Sequence, residues 1–495
     1  MAETERVANF VGTTVRGTFW TYAAFYGGKL MVFLSTIILA RLLTKEDFGI
    51  VGYALVAVGF LEVVSDFGIG TALIYYKDNQ DITYTAFWIN LLIGFGLYVV
   101  TWFAAPLVGV FFNDPRAVLL TRVLALSLPI SAFGDIQNFL MRKELLFERK
   151  FIPDFFRMAA KGILSIFFAL LGFGAWSLAL GQVGGAIVSV ISYWTVLAWR
   201  PAFRFSGEMA RALLSYGASI FSVNILTITL LNADYLFIGR FLGAEALGAY
   251  TLAFRIPELM VIQFCSIVGS VVFPIYSKVK DTPNALSRGF LETMRYVALF
   301  TVPIGVGLAL VAEPFVLTAF TAKWRESIPA LQALALYSVC MALPYHISSV
   351  YKALGHINIL RNLSLLRVFF LVFGFLWAVL IPKSITAVSW VHVVVAFAAG
   401  LINLIVATRS LNIPFRIVLE VLRPVAVSVA LMAAAVAGIL ALLRPTPALV
   451  QLVTSVLVGL LSYCGTLWWV QREVVLQAGE ILRVAVMRRR LKVLP

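Results

Sequence analysis

The chain has 495 residues, 61% hydrophobic and 13% charged, with a mean hydropathy of +0.95 and a net charge of +15. A soluble domain carries about 45–50% apolar and about 25% charged residues, so composition excludes a soluble enzyme, a secreted domain and a disordered chain. In a soluble protein the basic excess would suggest nucleic acid, whereas in a membrane protein it points first to cytoplasmic loops.

The chain opens Met1-Ala2-Glu3-Thr4-Glu5, without the basic stretch, short apolar run and cleavage site of a signal peptide, so the first apolar run is expected to be a retained membrane helix. A spanning helix needs about 20 mostly apolar residues. The sequence predicts fourteen: 17–40, 48–74, 85–111, 117–140, 152–172, 174–199, 211–239, 246–275, 289–312, 328–354, 357–381, 384–408, 424–443 and 448–470. These runs are continuous, whereas the strands of a membrane barrel alternate apolar and polar residues. The expected fold is therefore an all-α polytopic membrane protein of about 14 transmembrane helices. No loop is long enough to fold alone. The tail 471–495 mixes Val474, Val475, Ile481, Leu482 and Val486 with Arg483, Arg488, Arg489, Arg490 and Lys492. It reads as a basic amphipathic helix on the anionic cytoplasmic leaflet, or simply as a positive anchor.

With the N-terminus placed in the cytoplasm, cytoplasmic segments hold 24 Lys and Arg, the opposite loops hold 8, and 7 remain inside spans. That bias sets the orientation, and an even span count puts both termini in the cytoplasm.

Arg41-Leu42-Leu43-Thr44-Lys45-Glu46-Asp47-Phe48-Gly49 matches Arg240-Phe241-Leu242-Gly243-Ala244-Glu245-Ala246-Leu247-Gly248 without a gap, at an offset of 199. Each copy joins the first two helices of a six-helix set. Parallel repeats of this kind mark two pseudo-symmetric transporter lobes around a midplane site. The expected organisation is an N-terminal lobe (1–206), a C-terminal lobe (207–412), two extra peripheral helices without charge in their spans (413–470) and the tail.

The seven bases within spans are Lys29, Arg122, Arg157, Lys161, Arg255, Arg295 and Arg367, and the acids at depth are Glu62, Asp66, Asp234 and Glu258, with Asp135 and Asp154 nearer the ends. A charge at the bilayer centre costs about 2.5–3.5 kcal/mol even on the lenient insertion scale, so such residues face a watery cavity or a partner. Lys29 is near mid-span, and a structural pair with Glu62 or Asp66 is the alternative to a site role. Arg157 and Lys161 share a helix face at i and i+4 and repel unless an anion or carboxylate joins them. Asp154, one turn earlier, is placed to neutralise Arg157, and snorkelling also accounts for Arg157. In Arg255-Ile256-Pro257-Glu258 the proline removes a helix hydrogen bond between two opposite charges, a pattern that suits a broken helix at a binding site or a local ion pair. Glu62, Asp66, Asp234 and Glu258 are candidates for carrying a coupling proton or sodium ion, or for balancing the bases.

The three cysteines, Cys265, Cys340 and Cys464, lie in apolar runs and form neither a disulfide framework nor a zinc pattern. No phosphate-cradling glycine loop, HExxH or GxSxG is present, and His346, His356 and His392 are scattered. Neither catalytic residues nor a metal or cofactor site are expected.

Gly17-Thr18-Phe19-Trp20, the run Ile38 to Gly49, Asp66-Phe67-Gly68-Ile69-Gly70-Thr71-Ala72-Leu73, and the basic loop Arg142-Lys143-Glu144-Leu145-Leu146-Phe147-Glu148-Arg149 resemble the polysaccharide transporter family. This family belongs to the multidrug/oligosaccharidyl-lipid/polysaccharide exporter superfamily, and the nearest likeness is to flippases of the Wzx, colanic-acid-exporter type. The resemblance implies twelve core helices in two lobes, often with two added. It further implies alternating-access export of undecaprenyl-pyrophosphate-linked oligosaccharide across the bacterial inner membrane, for exopolysaccharide, capsule or O-antigen. The implied partners are the lipid-linked oligosaccharide and the phospholipid bilayer, with a polysaccharide polymerase and a chain-length regulator as further candidates and no nucleic acid. For a pyrophosphate, Arg255, Lys29, Lys161, Arg157, Arg122 and Arg367, and more weakly Arg295, become candidate ligands, because Arg grips phosphate bidentately and Lys acts as a point charge. The rival readings are a cation antiporter, which needs an acidic cavity, and a membrane glycan polymerase or ligase, which needs a large outer loop.

Overall fold

The computed structural model describes residues 27–66, 68–75, 80–144, 146–279, 282 and 284–470. The predicted tail at 471–495 and the Gly17–Trp20 stretch lie outside the described residues. Every one of the fourteen predicted runs coincides with helix among the described residues. The physical reason is that hydrocarbon offers no partner for backbone N–H and C=O groups, so a spanning segment satisfies them within itself. Among the described residues, nine helical segments are long and apolar enough to cross a membrane by composition. The helix Phe147–Leu170 is not among them, because Asp154, Arg157 and Lys161 lie within its apolar stretch.

The chain divides into two compact units, residues 1–251 and 252–495. In the first, α1 (27–42) leads to α2 (Lys45–Asp66), α3 (Ile69–Tyr75), α4 (Gln80–Phe112), α5 (Arg116–Ala125), α6 (Ser127–Lys143), α7 (Phe147–Leu170), α8 (Ala175–Val196) and most of α9 (Gly207–Pro257). The run predicted over 48–74 is thus broken between α2 and α3, and that over 117–140 between α5 and α6. The α1/α2 turn is held by a reciprocal cap: the Asp47 carboxylate accepts from Thr44 N at 2.9 Å, and Asp47 N donates to Thr44 Oγ1 at 3.1 Å. In the second copy of the repeat, Gly243 occupies the position of Thr44 and breaks α9 with φ 87°, a conformation glycine adopts without steric penalty.

The two copies touch. A Cβ added at Gly49 would lie 1.8 Å from the Ala244 carbonyl oxygen, and one added at Gly248 would lie 1.9 Å from that of Lys45. Positions 45 and 244, and 49 and 248, are equivalent under the 199-residue shift, so the crossing is its own image. Lys45 Nζ pairs with Glu245 at 3.3 Å. Arg116 bridges Glu46 at 2.6 Å and Asp114 at 2.9 Å, and Arg240 donates to the Phe111 carbonyl at 2.7 Å near the end of α4. The turns containing residues 41–47, 113–116 and 240–245 therefore meet at one end, as the alternation of spans requires. Other predicted same-side turns also meet, with Arg204 3.5 Å from Asp81 and Trp88 Nε1 donating to Ala202 O at 2.9 Å.

The second unit continues with a π-helical turn (Glu258–Ile262), α10 (Gln263–Val279), α11 (Ala285–Leu310), α12 (Ala312–Ala319), a 3-10 turn (Ala322–Ser327), α13 (Ile328–Tyr345), α14 (Ile347–Ala353), α15 (Ile357–Leu380), α16 (Ile385–Ser410), α17 (Phe415–Leu442) and α18 (Ala448–Val470). Helix α13 packs on α16 and α11, and α17 packs on α18 and α11. Tyr463 of α18 donates to the Leu299 carbonyl at 2.7 Å, and Val425, Val429, Met432 and Leu467 bury a shared apolar seam there.

Two outcomes test this packing. Gly49→Leu or Gly248→Leu should cost well over 1–3 kcal/mol, roughly the range for ordinary overpacking, because the clash is with backbone. The monodisperse yield in detergent should collapse, while Gly59→Ala, with open space at its Cα, should leave it unchanged. At Asp114, burial alone would raise the carboxyl pKa, but hydrogen bonds and charge from Arg116 hold it below its ordinary value. A lowered native pKa contributes stability above the ordinary carboxylate range and loses it as pH falls through the lowered value. Acidification through that range should therefore lower the melting temperature of the native chain more than that of Asp114→Asn.

Candidate functional site

In the first unit the predicted bases converge on α7. Gly181, Gly184 and Gly185 of α8 face it so closely that an added Cβ would lie 1.9 Å from Ser165 Oγ, 2.3 Å from Leu164 Cδ1 and 2.9 Å from the Arg157 carbonyl oxygen, respectively. On α1, Gly28 meets Met158, and Ser35 meets Gly162 of α7. These contacts put Lys29 at the level of Arg157 and Lys161. Arg157 and Lys161 are half-buried, and Glu62 of α2 lies within electrostatic reach of both. Three of the seven predicted bases thus lie within about one helical turn of one another along α1 and α7.

Asp154, one candidate to neutralise Arg157, accepts from Lys150 and, at 3.0 Å, from the Tyr193 hydroxyl. Lys150 is one turn back on the same helix, as Arg157 is one turn on, and α8 presents Tyr193 to the other carboxylate oxygen.

Arg122 on α5 is placed apart from this group. Its Nε donates to the Trp102 carbonyl at 3.1 Å, and its guanidinium lies 4.6 Å from the centre of the Trp102 ring, a cation–π contact that replaces a counter-ion. Asp234 is 2% exposed and accepts from the Tyr250 hydroxyl at 2.6 Å. Asp66 closes α2, and its side chain lies outside the described residues.

In the second unit the predicted break at Pro257 takes the form of a π-helical turn beginning at Glu258, a geometry frequent at functional sites. Arg255 Nη1 lies 3.3 Å from Glu258, which also accepts from Gln263 Nε2 at 3.3 Å. Arg295 of α11 has a buried Nε without a hydrogen-bond partner among the described residues. Arg367 of α15 donates from Nη2 to the Tyr337 hydroxyl at 3.4 Å, and its Nε is likewise buried and unpartnered. Arg367 lines a cavity of about 500 Å³ together with Lys352. Sorting by depth missed Lys352, because it stands at the end of the run 328–354 and counts as a loop base. The available signal was Pro344: the helix breaks at His346, and α14 is a separate short helix that carries Lys352 to the cavity wall. Among the described residues no group of three His, Cys, Asp or Glu side chains could hold a metal ion.

The family described as polysaccharide biosynthesis protein matches residues 38–329. The teichuronic acid biosynthesis protein TuaB of Bacillus subtilis is 29% identical over 359 residues, 70% of this chain and 72% of its own length. The succinoglycan biosynthesis transport protein ExoT of Rhizobium meliloti is 28% identical, covering 66% of each chain. The lipopolysaccharide biosynthesis protein WzxC of Escherichia coli is 25% identical, covering 72% of this chain and 73% of its own. Among solved structures, the lipid II flippase MurJ in an inward closed conformation superposes with a TM-score of 0.74 at 15% identity, over 93% of this chain and all of the other. An inward-facing multidrug resistance transporter of the MATE family superposes with a TM-score of 0.65 at 16% identity, over 79% of this chain and 94% of the other. At these identities the superpositions show the fold.

The geometry around Asp234 gives a direct test of its role. Tyr250→Phe removes a hydrogen bond to a buried carboxylate, an interaction of about 1.5–3 kcal/mol. Thermal unfolding in detergent should show a clear fall in melting temperature, and an unchanged midpoint would show that this bond does not stabilise the fold.

Proposed function

Because the chain belongs to the polysaccharide biosynthesis protein family, we propose that it is a multi-pass membrane flippase that carries undecaprenyl-pyrophosphate-linked oligosaccharide repeat units, not an enzyme. The observation that carries the reading is the common depth of Lys29, Arg157 and Lys161 on α1 and α7, where each charge is costly. A pyrophosphate turns that cost into binding, since its oxygens accept the fork of Arg157 and the point charge of Lys161 in a low-dielectric setting. Arg255, at the π-helical turn, is the next ligand, freed as Glu258 exchanges it for Gln263. Arg367 and Arg295 follow, and Arg122, held by Trp102, contributes least. The Arg255 contact supports charge balance for Glu258, leaving Glu62, Asp66 and Asp234 as the candidates for ion coupling.

Residues 1–206 and 207–412 form the two six-helix lobes of an alternating-access cycle, 413–470 adds the two outer helices, and 471–495 is a basic cytoplasmic tail. The 24-to-8 distribution of bases supports a bacterial inner membrane with both termini cytoplasmic, where a polymerase and a chain-length regulator take over the exported units. A cation antiporter would need acidic walls where this chain places Arg157 and Lys161.

In a strain lacking the gene, surface polysaccharide should be missing and lipid-linked repeat units should accumulate. Plasmid-borne wild type should restore export, while Lys161→Ala or Arg255→Ala should not, despite normal membrane levels on immunoblots. Full export by both variants would overturn the assignment of these bases.

A further inference from the structure

The second unit contains a cavity that joins Arg367, a secondary ligand in the transport reading, to Lys352, which that reading does not use. Its cavity of about 500 Å³ is walled by α10, α13, α14, α15 and α16, a volume in the range of small-ligand pockets. Two cationic side chains, Arg367 and Lys352, line it, and no carboxylate does among the described residues. Neither base has an ion-pair partner among the described residues. Three of the six neutral polar side chains on the wall are already engaged: Ser348, Ser364 and Asn403 donate to carbonyls of their own segments at 3.1, 2.7 and 2.8 Å. Among the donors left without an acceptor is the buried Arg367 Nε. A buried donor without an acceptor costs about 1–3 kcal/mol, more for a charged group. The rest of the wall is apolar, including Phe273, Met341 and Leu363.

We propose that this cavity binds the phosphate head of a lipid, with Arg367 and Lys352 as its cationic ligands and the apolar wall along its chain. Arg367 supplies the planar fork and Lys352 the point charge. The shared chemistry is a lipid phosphate, from an anionic phospholipid or from the polyprenyl carrier. Only the second source rests on the transport reading.

The test is equilibrium binding of labelled lipid to the purified full-length chain in detergent, in the native background and in one carrying K29Q, R157Q and K161Q to weaken phosphate binding by the first unit. The probes are undecaprenyl pyrophosphate and phosphatidylglycerol, with undecaprenol and diacylglycerol as phosphate-free counterparts. Both backgrounds should bind at least one phosphate lipid over its phosphate-free counterpart. R367Q and K352Q should each weaken that binding at least about tenfold, the scale of one lost charge-assisted hydrogen bond. S364E, an exposed substitution that places a carboxylate on the wall, should weaken it as much without removing a base. Preference for undecaprenyl pyrophosphate identifies the carrier as the source, and preference for phosphatidylglycerol identifies a bilayer lipid. Unchanged affinity in all three variants, each monodisperse, overturns the proposal. Since binding and not export is measured, that result leaves the flippase reading standing, and failure of the export test leaves this site standing.

Discussion

The cost of placing charge in hydrocarbon organises this molecule. Each ionisable group at depth has to be met by something, and the structure shows three solutions. Where an opposite charge or hydroxyl is within reach, it is used, as in Arg255 with Glu258 and Asp234 with Tyr250. Where none is, an aromatic face and a carbonyl serve, as for Arg122 on Trp102. The third solution is concentration: Lys29, Arg157 and Lys161 are gathered at one level near Glu62, and Arg367 and Lys352 share one cavity. This third solution groups cationic side chains at defined places, the arrangement that the proposed carriage of an anionic headgroup would use.

Glycine makes this gathering possible. The three glycines of α8 bring α7 close enough for backbone-to-side-chain contact, and Gly28 does the same for α1. At the opposite level of description, Gly49 and Gly248 let the two copies of the repeat cross backbone to backbone, each against the residue equivalent to the other's contact. Small residues are effective here because lipid is as apolar as a leucine side chain, so helices associate through close packing and not through hydrophobic exclusion.

Much of the architecture was legible because its causes are local. Continuous apolar runs dictate helices, and the nine-residue repeat marked both the α1/α2 turn and the break at Gly243. The charged proline segment 255–258 announced the irregular turn. Less legible were features set by tertiary reach. Sequence spacing placed Asp154 with Arg157, but a lysine one turn back and a tyrosine from α8 hold it. Lys352 read as a loop base, and only the separation of α14 from α13 reveals its cavity. Arg122 read as a substrate ligand by depth alone, and nothing in its own segment identified Trp102, 20 residues earlier on another helix.

The central claim is that internal bases recognise the diphosphate of the carried lipid. Purified protein in liposomes, given a lipid-linked oligosaccharide with its pyrophosphate intact or the same glycan on an uncharged polyprenyl linkage, tests it most directly. Transbilayer movement should be fast for the charged lipid, slow for the uncharged one, and equally slow for both when Arg157 and Lys161 are replaced by Gln. Equal movement of the two lipids by the native protein would contradict the account.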